Sequence, residues 1–124
     1  MKILVVDDEK DVQDLFEQKF RKEIKTGEMQ FMFAFSGEEA MTYLNSPETE
    51  AVLILSDINM PGMSGLELLS KIKQKYNTAP PFVMMITAYG DAENFNSAMR
   101  LGADDFLTKP LEFDQLKEKL KAIQ

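Results

Sequence analysis

Residues 2–9 read Lys2-Ile3-Leu4-Val5-Val6-Asp7-Asp8-Glu9, an unbroken apolar run that stops on three carboxylates. A strand that alternates apolar and polar residues shows one face to water. A run without alternation belongs to a strand covered on both faces, as in a parallel sheet flanked by helices. The same form recurs over Val52 to Ser56 (Val-Leu-Ile-Leu-Ser) and over Phe82 to Thr87 (Phe-Val-Met-Met-Ile-Thr), so these three segments are expected at the centre of the sheet. Two less apolar segments, Gln30 to Phe35 and Asp105 to Thr108, complete a set of five strands. Met84 and Met85 are core filler rather than sulfur ligands.

Between the strands the apolar period changes from continuous to helical. From Asp11 to Lys25 the positions Val12, Leu15, Phe16, Phe20 and Ile24 recur at three and four, leaving Glu17, Lys19, Arg21 and Lys22 on a charged face. Ser36 with Glu39, and Ser64 with Glu67, form capping-box patterns. The first precedes Ala40, Met41 and Leu44, and the second precedes Leu66, Leu69, Ile72 and Tyr76. A fourth helix is expected from about Asp91, with Phe95, Ala98 and Met99 inward and Gly102 ending it, and a fifth from about Phe113 through Leu116, Leu120 and Ile123. Five strand-then-helix units predict a doubly wound α/β sheet in one domain over residues 1–124.

Composition narrows the chemistry. With 14 Lys+Arg against 21 Asp+Glu the net charge is −7, the wrong sign for a domain that binds nucleic acid through its own field. No apolar run approaches the ~20 residues that span a bilayer, and the amino terminus carries no signal-peptide core; a soluble, cytoplasmic protein with no membrane contact is expected. The absence of Cys and His removes disulfides, thiolate metal sites and the commonest general base. Any reaction must run on carboxylates, hydroxyls, Lys and hard cations.

Ligands of open α/β sheets sit beyond the carboxyl ends of the strands. Four of the five predicted ends carry polar groups: Asp7-Asp8-Glu9 after the first, Asp57 after the third, Thr87 at the fourth, and Lys109-Pro110 after the fifth. Two unit charges ~4 Å apart repel by about 4 kcal/mol at an effective dielectric near 20. Convergence of Asp7, Asp8 and Asp57 therefore implies a cation, and oxygen-only ligands favour Mg²⁺. Asp57 is placed to act as a nucleophile on phosphorus, with Lys109 as a point charge for the phosphate. Glu9, Asp104 and Asp105 are read as capping or solvated charges.

Four stretches carry a resemblance: Val5-Val6-Asp7-Asp8-Glu9; Ser56-Asp57-Ile58-Asn59-Met60-Pro61-Gly62-Met63-Ser64-Gly65; Ile86-Thr87-Ala88-Tyr89; and Gly102-Ala103-Asp104-Asp105-Phe106-Leu107-Thr108-Lys109-Pro110. In order and spacing they resemble the receiver domain of two-component response regulators over essentially the whole chain. The resemblance implies a flavodoxin-like fold with strand order 2-1-3-4-5 and five helices. It implies Asp57 as phosphoacceptor, Asp8 as direct Mg²⁺ ligand with Asp7 holding its waters, and the Asn59 backbone carbonyl as another ligand. It implies Thr87 as switch hydroxyl, Phe106 as the aromatic that turns inward, Lys109 as the phosphate's counter-ion, and a cis Lys109-Pro110 peptide.

The function implied is a phosphoryl-operated switch. A sensor histidine kinase or histidine phosphotransfer protein supplies the group to Asp57, and the face of the fourth helix, fifth strand and fifth helix is then read by an output domain or target protein. A homodimer through that face is a further expectation. With no His in the chain, the donor is another molecule or domain. Such a domain catalyses its own phosphorylation and dephosphorylation and is no turnover enzyme for an outside substrate. Two rivals lack their signatures. An aspartyl phosphohydrolase wants a second acid where Asn59 stands, and an FMN carrier wants a Gly/Ser/Thr-rich loop where Asp7-Asp8-Glu9-Lys10 stands. The same resemblance implies that Asn59 and Tyr89 flank the path of an attacking water; neither is a carboxylate, so slow hydrolysis is expected.

Overall fold

The computed structural model describes residues 1–46, 53–76, 80–88 and 91–123. Its strands are β1 (Lys2–Val6), β2 (Gln30–Ala34), β3 (Leu53–Asp57), β4 (Phe82–Ala88) and β5 (Asp105–Lys109). They form one sheet in the order β2-β1-β3-β4-β5, every neighbouring pair parallel. The three continuous apolar runs are the three inner strands, as their composition requires. Of the expected third strand, Val52 lies outside the described residues; its far end runs one residue further than expected and takes in Asp57.

Successive residues of each strand point to opposite faces, and the two cores follow from that alone. Ile3, Val5, Leu53, Leu55, Met84 and Ile86 join Phe16, Phe20, Leu116 and Leu120 on one side. Leu4, Val6, Ile54, Val83 and Met85 join Ala40, Leu68, Leu69, Ile72 and Ala98 on the other. Helices α1 (Asp11–Lys19), α2 (Arg21–Lys25) and α6 (Phe113–Ile123) thus cover the first face, and α3 (Gly37–Leu44), α4 (Gly65–Lys75) and α5 (Ala92–Arg100) the second. Ser36 and Ser64 cap α3 and α4 by accepting the Glu39 and Glu67 N–H, each such cap contributing ~1 kcal/mol.

Six helices among the described residues, rather than five, result from a break at Phe20. There the backbone leaves helical geometry (φ −106°, ψ 21°). The ring is fully buried, stacked on Phe16 with centroids 5.8 Å apart and tilted against Phe31 at 4.9 Å. Packing of this aromatic cluster overrides the even helical spacing that the sequence carries through position 20. The phase of the following turn shifts with it. Glu23 is buried, with Lys117 Nζ 3.6 Å from its Oε2, while Ile24 faces out. Leu15, a quarter turn from the buried Phe16, is also exposed. On α5 the inward stripe is narrower than expected: Ala98 is buried, but Phe95 and Met99 are exposed, because α5 lies near the β5 edge of the sheet, where little backs it.

Candidate functional site

Parallel strands deliver their carboxyl ends to one edge, and the chemistry-bearing side chains arrive there together. Asp57 ends β3 beside Ile86 of β4, Thr87 pairs with Thr108, and Ala88 with Lys109. Asp7 follows β1, its backbone N–H donating to the Ala34 carbonyl at 3.1 Å. Oxygen atoms of Asp7, Asp8 and Asp57 lie within 4.8 Å of one another, with Asp7 and Asp57 buried and Asp8 exposed. Lys109 Nζ reaches in at 3.0 Å from Asp57 Oδ2 and 3.6 Å from Asp7 Oδ2. The Lys109-Pro110 peptide is cis.

The electrostatics are unbalanced. Burial pushes the Asp57 carboxyl above its ordinary 3.8; the Lys109 hydrogen bond and charge pull the other way, and the neighbouring Asp7 adds to the rise. Burial works to lower the Lys109 ammonium. The hydrogen bond to Asp57 and the charges of Asp57, Asp7 and Glu9 outweigh it and hold Lys109 above 10.5. One ammonium does not compensate three clustered carboxylates. The donor set, hard oxygens with one open side at the exposed Asp8, fits a divalent cation such as Mg²⁺.

Thr87 is 1% exposed, and its Oγ1 has no hydrogen-bond partner among the described residues. An unmade bond at a buried hydroxyl costs on the order of 1–3 kcal/mol, so it asks for an explanation. Beside it lies a cavity of about 270 Å³ lined by Thr87, Ala88, Asp91, Ala92, Phe95, Phe106 and Thr108. Phe106 closes one wall, edge-on to Phe95 with centroids 4.7 Å apart. Tyr89 lies outside the described residues.

Other residues take structural parts. Asp104 Oδ2 accepts from the Val83 N–H at 2.9 Å and from Lys73 Nζ at 3.2 Å; Asp105 accepts from its neighbour's N–H and from Lys119. Glu9 is exposed, and its N–H donates to Asp7 Oδ1 at 2.9 Å, fixing that carboxylate. Two contributors were not singled out from the sequence. Gly65 packs its α-carbon against the strand end: a β-carbon there would run into the Asp57 carbonyl, and its N–H donates to the Ile58 carbonyl at 2.8 Å. Glu38, at the start of α3, accepts the Met63 N–H of the loop that follows Asp57. Gly65 could have been noticed as a glycine at the first position of a capped helix, where a residue with a side chain is normally better. Glu38 left no local signal.

The response regulator receiver domain family model matches residues 3–121. Response regulator RppA of Synechocystis sp. is 36% identical over 124 residues, covering 100% of this chain and 50% of that protein, so the chain spans half the length of this curated relative. A response regulator receiver protein from Pseudomonas putida superposes with TM-score 0.83 at 27% identity, covering 98% of this chain and 95% of the other. The Thermotoga maritima response regulator TrrA, solved in complex with Mg(2+)-BeF, gives TM-score 0.80 at 32% identity over 99% and 98% of the two chains.

Proposed function

Because the chain belongs to the response regulator receiver domain family, we propose that Asp57 is its phosphoacceptor and that the domain is a phosphoryl-operated switch. The observation that carries this reading is a buried carboxylate clasped by Lys109 at 3.0 Å inside a three-carboxylate cluster. A lone buried ion pair needs no such crowding; a site that receives a phosphoryl group and a cation does.

In the transfer, an Asp57 oxygen attacks the phosphorus of a phosphohistidine on a kinase or histidine phosphotransfer protein. The P–N bond breaks, the imidazole leaves with its electron pair, and an acyl phosphate forms on Asp57. The transition state is loose and asks mainly for positioning and positive charge. Lys109 Nζ, already within reach of Asp57 and Asp7, meets the charge growing on the phosphoryl oxygens. Asp7, Asp8, Asp57 and the Asn59 carbonyl would hold Mg²⁺, which when bound supplies further charge neutralisation at the same oxygens. Burial keeps competing water away from most of the Asp57 side chain, which is 6% exposed.

Signalling follows from the Thr87 hydroxyl, which has no partner among the described residues. Thr87 Oγ1 can donate to a phosphoryl oxygen on Asp57, and its movement opens room for the Phe106 ring in the adjoining cavity. The face of α5, β5 and α6, which carries the exposed Phe95 and Met99, then changes for an output domain, a target protein or a second copy. No helix among the described residues is long and apolar enough to cross a membrane; we place the domain in the cytoplasm, where it catalyses its own phosphorylation and dephosphorylation. Incubation with acetyl phosphate and Mg²⁺ should add a single phosphoryl group, read by intact-mass spectrometry, and Asp57→Asn should abolish it. An undiminished adduct on the amide variant would sink the assignment.

A further inference from the structure

The loop after β3 carries Asn59 and returns at Gly65, and its contacts are unevenly shared. At its base the Gly65 N–H donates to the Ile58 carbonyl at 2.8 Å. Met60 is buried in the core. The tip, exposed at Pro61 and Gly62, is held from a different element: both carboxylate oxygens of Glu38 stand 3.3 Å from the Met63 N. Gly62 is left-handed (φ +73°), and a β-carbon there would come within 2.7 Å of Glu38 Oε2. A β-carbon on Gly37 would press on the Met63 side chain at 2.9 Å. Gly37 thus lets α3 lie against Met63, Gly62 supplies the left-handed turn that brings the loop to Glu38, and the exposed Glu38 charge lies in the first turn of α3, where the helix dipole favours it.

We infer that Glu38 is a positioning residue for the cation site: by fixing Met63 it sets the path of the loop and hence the direction of the Asn59 carbonyl. This rests on the reading of Asp57 and its neighbours as a Mg²⁺-assisted phosphoacceptor site. Glu38 touches neither cation nor phosphoryl group, so its loss should weaken cation affinity more than the transfer step once the cation is saturating.

The test is a Mg²⁺ titration of the unphosphorylated protein by ¹⁵N–¹H NMR, with amide exchange at Met63 measured on the same samples. Glu38→Ala should weaken Mg²⁺ binding roughly three- to tenfold, below the span seen when a direct partner of a metal ligand is lost, and speed Met63 exchange. Its phosphorylation rate by acetyl phosphate at saturating Mg²⁺ should stay near wild type. Glu38→Gln, whose amide oxygen still accepts the Met63 N–H, should restore affinity. Glu39→Ala, which removes a first-turn charge of the same helix without the contact, should change nothing. Unchanged affinity in Glu38→Ala, or an equal loss in Glu39→Ala, overturns the inference while leaving the Asp57 assignment intact. A wild type that takes up no Mg²⁺ overturns both.

Discussion

Removing the Lys109 ammonium tests the site's electrostatics without touching its carboxylates. At 3.0 Å from Asp57 Oδ2 and 3.6 Å from Asp7 Oδ2, each attraction is roughly 5 kcal/mol at an effective dielectric of about 20. Those gross values are offset by the desolvation of the ammonium. Its side chain is 34% exposed, against 6% for Asp57, so water screens what is left. Stripping one partner from a fully buried pair costs ~3–5 kcal/mol; discounted for that exposure, Lys109→Met should lose about 2 kcal/mol in the absence of divalent cation. For a chain of 124 residues that is roughly 6–10 °C in Tm.

The loss should depend on pH in a stated direction. Asp57 titrates at 3.8 when unfolded and higher when folded, and without Lys109 the folded value rises further. The fold therefore tolerates the neutral acid and resists the anion. The penalty is near zero below the unfolded value and grows as pH rises through the folded one. Lys109, held above 10.5, is charged throughout that window and adds no slope of its own. Urea unfolding followed by circular dichroism at ~pH 4 and ~pH 8, without Mg²⁺, reads the difference. A Lys109→Met protein as stable as wild type near pH 8, or one losing the same amount at both values, would show that the ammonium does not hold the Asp57 anion in place.

Asp8→Ala should lose most Mg²⁺-dependent phosphorylation while Glu9→Ala keeps it, as measured by intact mass against Mg²⁺ concentration; equal effects would remove Asp8 from the ligand set. Thr87→Ala should still accept the phosphoryl group at Asp57 but lose the phosphorylation-induced NMR shifts over residues 91–120; full shifts in the variant would break the proposed link to Phe106. Gly65→Ala should cost ~3 kcal/mol or more, because the new methyl group meets the Asp57 carbonyl, a backbone atom with nowhere to go; thermal melts within a degree or two of wild type would contradict that packing. Tyr89→Glu, which adds the carboxylate that positions 59 and 89 lack, should speed phospho-Asp57 decay severalfold, and unchanged decay in both it and Tyr89→Ala would reassign Tyr89 to partner contact.

The strand ends were legible because parallel strands, once recognised from unbroken apolar runs, place Asp7, Asp57, Thr87 and Lys109 at one edge without knowledge of any loop. The caps at Ser36 and Ser64 were legible because capping is local, settled within three residues. What escaped was decided by packing between elements distant in sequence. Phe20 breaks its helix although neither Gly nor Pro marks the place, since Phe31 and Phe113 from other elements choose its geometry. The burial of Glu23 and the exposure of Ile24 are consequences of that choice. Phe95 and Met99 carry the spacing of an inward stripe; only the position of α5 near the sheet edge leaves them outside. Glu38 and Gly65 matter through contacts with backbone atoms of the loop and strand end, which no periodicity announces.

The buried hydroxyl of Thr87 gives a scale for how far one contact can tip such a molecule. Thr87 Oγ1 has no side-chain or backbone partner among the described residues, so a bond to an arriving anionic oxygen would be worth at most that of a bond to a charged group, about 1.5–3 kcal/mol. That corresponds to roughly a ten- to hundredfold change in the ratio of two conformations, less than the ~5.5 kcal/mol needed to carry an equilibrium from one part in a hundred to ninety-nine. A domain driven by this bond alone would be a graded regulator, with its resting state partly active and its phosphorylated state partly idle. Sharper behaviour would have to come from whatever binds the α5–β5–α6 face.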